Sequence, residues 1–147
     1  MIKTFRGLLA DGGQDRIRLS TKKGKIGYKI VNFQIFPNDP GAASYEYCVK
    51  LFKILQTSIT NTVDFSDGNL LAAALYHAGS GASDPDSGPV VIFEQEIFNQ
   101  DIYITAFEGV GSSSVNYYLE LETINMTDNA AAVSTLRDIR LNPQVGA

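Results

Sequence analysis

The sequence contains one cysteine, one histidine and no tryptophan in 147 residues. With Cys48 alone, no internal disulfide can form, and within its apolar run the thiol reads as a small buried filler. His77 and Cys48 together supply too few ligands for a zinc site of the usual kind within one chain. Ser–His–Asp or Cys–His chemistry would have to run through His77, and no G-x-S-x-G elbow precedes it. No apolar run approaches the roughly 18 residues that span a bilayer. The opening stretch MIKTFRGLLADGG has no long apolar centre and no small-residue cleavage site, so no secretory signal is expected, and the sequon at Asn125-Met126-Thr127 is discounted with it. With no catalytic constellation to name and no cofactor implied, the expectation is a protein that is not an enzyme.

What the chain does have is 44% hydrophobic residues, enough for a core in a single domain spanning 1–147. The runs KIGYKIVNFQIF and YEYCVKLFKIL, separated by PNDPGAAS, predict two paired strands between Lys25 and Leu55. In the first, Ile26, Tyr28 and Ile30 share one phase while Val31, Phe33 and Ile35 share the other. In the second, Tyr45 to Leu51 alternate before Phe52 and Ile54 change phase. Each shift implies either a bulge or a strand buried on both faces. Residues 1–9 read as a strand or an arm laid on a neighbour, ADGGQ as a turn, and Arg16 to Ser20 as a half-exposed strand. Val63 to Phe65, Asn69 to Tyr76, Val90 to Phe98 and Ile102 to Phe107 are further strand candidates. Val115 to Thr123 is the clearest amphipathic one. A short helix is expected over 127–140, capped by Thr127, with Val133, Leu136 and Ile139 on one face. The fold expected is therefore all-β: an antiparallel β-sandwich, jelly-roll-like, of about eight strands with one C-terminal helix.

Charge is distributed unevenly. Met1 to Lys29 holds eight basic residues against two acids, a net +6, which leaves −10 for residues 30–147. Such an arm can meet an acidic partner, or it can be a solvated strand edge guarded by lysine. Glu94 with Glu96, and Glu120 with Glu122, lie two apart on single strands and read as solvated faces rather than paired catalytic carboxylates. Asp64, Asp67, Asp84 and Asp86 sit in loops and are weak calcium candidates, since no D-x-D-x-D-G run accompanies them. Tyr118 shares the polar phase of its strand with Glu120 and Glu122, which marks it as a possible interface anchor.

The stretches IKTFRGLLADGGQDRIRLST, GYKIVNFQIFPNDPG, YEYCVKLFKI, VDFSDGNLLAAA, NQDIYIT and NYYLELE cover well over half the chain. Together they resemble a group of short virion structural proteins encoded by tailed phages of marine bacteria. The resemblance lies in texture and motif order, not in a catalytic signature. It implies a jelly-roll-like module on the capsid surface that decorates or cements the shell by binding the major capsid protein. It also implies a homo-oligomer, a trimer by preference, without membrane contact and with nucleic acid disfavoured as a partner. A glycan- or calcium-binding module and a tail or neck component are the alternatives. Candidate attachment residues fall in two groups. Ile2, Phe5, Arg6, Arg16, Arg18, Lys22 and Lys23 belong to the N-terminal segment, joined by Tyr118. Leu136, Arg137 and Arg140 belong to the helical tail.

Overall fold

The structure, a computed structural model, describes residues 1–21, 24–40, 44–78 and 88–126. Their regular elements are eight strands: β1 (Ile2–Leu9), β2 (Gln14–Ile17), β3 (Ile26–Pro37), β4 (Tyr45–Phe52), β5 (Leu70–Ala78), β6 (Val90–Ile92), β7 (Ile102–Glu108) and β8 (Val115–Asn125). They form two antiparallel sheets, one ordered β1-β8-β3 and the other β2-β7-β4-β5-β6. The pairing is nested. β1 pairs with β8, β2 with β7 and β4 with β5, while Tyr28 of β3 bridges Phe98 just beyond β6. That bridge is closed by both backbone bonds, at 2.7 and 3.0 Å.

Alternation places the core between the sheets. Phe33, Leu119 and Leu121 from one sheet meet Val49, Leu51 and Ile104 from the other, none more than 2% exposed. At roughly 1.5–3 kcal/mol per fully buried large apolar side chain, these rows provide the main drive to fold. The ADGGQ turn forms as expected, with Gly12 at φ 76°, a conformation that would strain any residue bearing a Cβ.

The two strands expected to pair with each other do not. β3 lies beside β8, whereas β4 lies between β7 and β5 in the opposite sheet. A tight hairpin needs a connection of about two to five residues with primed-turn chemistry. Here β3 ends at Pro37 in one sheet and β4 begins at Tyr45 in the other, too long a separation for such a turn, and Pro40 with its fixed φ follows β3 closely. The two phase shifts also resolve differently. β3 takes the bulge, with Val31 as the extra residue between Ile30 and Asn32. β4 stays in register with β7 and is buried on both faces; the irregularity beside it comes from Leu71, the extra residue on β5.

Three further expectations change. Val63 to Phe65 is not a strand but part of the long connection between β4 and β5. The strand predicted over Val90 to Phe98 stops at Ile92, where the Glu96 amide turns back to the Phe93 carbonyl at 3.1 Å. The β2 strand sits two residues earlier than its alternation suggested, because Leu19 and Ser20 give their amides to Asp101 instead of a sheet neighbour. The helix expected over 127–140 lies outside the described residues.

Candidate functional site

Among the described residues, no other element covers the outer face of the three-stranded sheet. Its register sets four rows: Ile2, Glu122 and Lys29; Thr4, Glu120 and Asn32; Arg6, Tyr118 and Gln34; Leu8, Asn116 and Phe36. Ile2, Leu8 and Phe36 are 50%, 51% and 58% exposed, so three large apolar side chains frame a polar centre. Within that centre the Tyr118 hydroxyl donates to Glu120 at 2.7 Å, and the bond to this carboxylate pushes the tyrosine's pKa up. Lys29 reaches Glu122 at 3.3 Å. Arg6 has no ion-pair partner among the described residues. An apolar rim around a polar centre is suited to docking another protein surface.

Of the candidate attachment residues, this face gathers Ile2, Arg6 and Tyr118. Phe5 points the other way, between the sheets, where it packs against the core. Arg16 lies on β2 in the five-stranded sheet, away from this face, and is engaged there: its Nε donates to Asp101 at 2.7 Å. Arg18 is exposed, beyond the end of β2. Lys22, Lys23, Leu136, Arg137 and Arg140 lie outside the described residues, as do Asp84 and Asp86.

Asp64 and Asp67 occupy one turn, and its local bonds take up their oxygens. Asp64 accepts from the Ser66 amide and hydroxyl at 2.9 and 2.6 Å, and Asp67 accepts from the Asn69 amide at 2.9 Å. Both Ser66 bonds hold the Asp64 carboxyl below its ordinary range, the hydroxyl contributing most. Among the described residues no group of three or more His, Cys, Asp or Glu side chains could hold a metal ion.

The other sheet's outer face is covered by the β4–β5 connection. Lys50 donates to the Thr62 carbonyl at 2.6 Å, and Gln14 and Gln56 exchange bonds at 3.0 and 2.9 Å. Between connection and sheet lies an apolar cavity of about 340 Å³, lined in part by Cys48, Val63, Phe65, Leu75 and Val91. Cys48 is buried, and burial pushes its thiol pKa up.

Two carboxylates that sequence reasoning passed over prove to be hubs. Asp101, 8% exposed, accepts from Arg16, from the amides of Leu19 and Ser20, and from the Ser20 hydroxyl. Burial pulls its pKa up, but the amide bonds together with Arg16 outweigh it and the net shift is downward. Glu108, 3% exposed, accepts the amides of Glu46, Val110 and Gly111 and so fixes the turn after β7. Asp101 follows Asn99 and Gln100 ahead of a strand, where an aspartate is ordinarily a local cap, and no local pattern marks Glu108.

Compared with protein-family models and with curated proteins, the chain matches none. The geometry is therefore the ground for a functional reading, together with the resemblance drawn from the residues themselves.

Proposed function

We propose that this chain is a structural protein of a phage virion that decorates or cements the capsid by binding the major capsid protein, and that its sandwich is a jelly roll. The nested pairing supports the second part. A jelly roll is a long antiparallel hairpin wound into two sheets, so first pairs with last, second with seventh, third with sixth and fourth with fifth. β1–β8, β2–β7 and β4–β5 follow that scheme, and the Tyr28–Phe98 bridge supplies the contact between β3 and the segment after β6.

The observation that carries the functional part is the uncovered face of the three-stranded sheet. Arg6, Tyr118 and Glu120 lie on it inside a frame of Ile2, Leu8 and Phe36. A flat sheet face of this composition suits a broad protein surface better than a small ligand, which binds in concave sites. Fold alone would not distinguish a capsid module from other sandwiches, so the reading rests on this face and on the resemblance to phage virion proteins.

Co-sedimentation of the purified chain with intact and emptied capsids tests it. Saturable binding to both, weakened by Phe36→Ser and by Arg6→Glu, is the expected result. Binding to neither, with the chain folded, would overturn the reading.

A further inference from the structure

We infer that β1 pairs with β1 of a second copy, antiparallel across a two-fold axis, joining the two three-stranded sheets into one sheet of six strands. The inference is independent of the capsid reading, since it concerns only the chain and itself.

β1 is an edge strand of eight residues, paired on one side with β8 in unbroken register. The Thr123 amide donates to the Met1 carbonyl at 2.9 Å. In a regular antiparallel ladder this assigns the odd-numbered residues of β1 to bonding with β8. The N–H and C=O groups of Ile2, Thr4, Arg6 and Leu8 therefore face the open edge. The sheet's other edge, β3, is protected in the ways that edges usually are, by the bulge at Val31 and by Pro37. β1 has neither a bulge nor a proline.

The strand is also complementary to itself. Directly opposed residues must lie on the same face, so three registers bring the centre of β1 against its copy. One opposes Arg6 to Arg6, which like charges disfavour. Another leaves Leu8 without a partner. The third uses the whole strand: Ile2 opposes Leu8, Thr4 opposes Arg6, Lys3 opposes Gly7, and Phe5 meets Phe5 at the axis. It joins the two exposed apolar residues, Ile2 and Leu8, on the outer face and an aromatic pair on the inner face. It also satisfies a charge. Thr4 sits beside Glu120 in the sheet, so Arg6 of the second copy lies across the short Thr4 from that carboxylate. Two strand spacings, roughly 10 Å between backbones, separate them, a gap that extended arginine and glutamate side chains can close. Arg6, without an ion partner within the described chain, gains one in the dimer. A two-fold pairing of this kind makes a dimer in place of the trimer that the resemblance favours.

Sedimentation equilibrium of the full chain without capsids tests the pairing. The wild type is expected as a dimer. Thr4→Pro removes an amide that faces only the open edge, so the monomer should keep its circular dichroism while dimerisation weakens about tenfold or more. In a Cys48→Ala background, chains carrying Ile2→Cys and chains carrying Leu8→Cys should cross-link on mixing, and Ile2→Cys chains alone should not. A wild-type monomer or trimer, a dimer indifferent to Thr4→Pro, or Ile2→Cys chains that cross-link to each other would each overturn the inference.

Discussion

The Arg16 guanidinium donates through Nε to the Asp101 carboxylate at 2.7 Å, tying the edge strand β2 to the residue immediately before β7. The two partners do not contribute equally. Arg16 has half its side chain in solvent, so its share of the ion pair is screened and worth under about 1 kcal/mol. Asp101 is buried and also holds the Leu19 and Ser20 amides at 2.7 and 2.9 Å. Replacing it strands those donors, at a cost of about 2–3 kcal/mol. Chemical denaturation should therefore rank Asp101→Ala well below Arg16→Ala in stability. Equal losses would mean that the ion pair, not the amide bonds, carries the cluster.

The same cluster sets an acid dependence. The Asp101 pKa is lower in the folded chain than in the unfolded one. Its contribution is thus fully present above the unfolded value of about 4 and is lost as pH falls through the folded value. Stability measured from pH 7 downward should decline below about pH 4, and the gap between wild type and Asp101→Asn should narrow over that range. A gap constant with pH would contradict this assignment.

Lys53 presents the opposite case, a buried cation paired with a half-exposed acid. Its side chain is 3% exposed and reaches Glu96, itself 41% exposed, at 2.8 Å. Removing the acid leaves the ammonium buried without its counter-charge, so Glu96→Ala should destabilise by about 3 kcal/mol. Lys53→Met, which removes the charge and keeps the volume, should be close to neutral. Thermal melts of the two variants decide the matter, and a Lys53→Met variant worse than Glu96→Ala would reverse the argument.

The bulge in β3 gives a test of register. Val31 is the extra residue, 39% exposed, and its removal would leave Ile30 facing inward, Asn32 outward and Phe33 inward in simple alternation. Deleting Val31 should therefore yield a folded chain that melts slightly lower. Deleting Gln34 shifts every later residue of the strand to the wrong face and should abolish folding. Circular dichroism of the two deletions separates these outcomes.

How much of this was legible in the residues depends on the range of the forces involved. Alternation over Val115 to Thr123 and the phase break at Ile30 are local patterns; the first predicted its strand, and the second left a bulge as one of two readings, the one β3 takes. NLLAAALY was recognised as a strand despite its helix-favouring alanines, because its short length between turns suits β5. The pairing of Lys25 to Leu55 was misread, since local pattern shows that strands exist but not which sheet each joins. Asp101 and Glu108 escaped notice for the same reason: their partners Arg16, Leu19 and Glu46 lie more than sixty residues away in sequence. Of the candidate attachment residues, Ile2, Arg6 and Tyr118 share a face only because β1 pairs with β8, a contact spanning nearly the whole described chain.

The most direct measurement of the central proposal is a reconstruction of the intact virion at a resolution that traces side chains. The account predicts this sandwich on the capsid exterior, with Arg6, Leu8, Phe36 and Tyr118 turned toward the major capsid protein. Density for the chain at the neck or tail, or on the capsid with that face open to solvent, would contradict it.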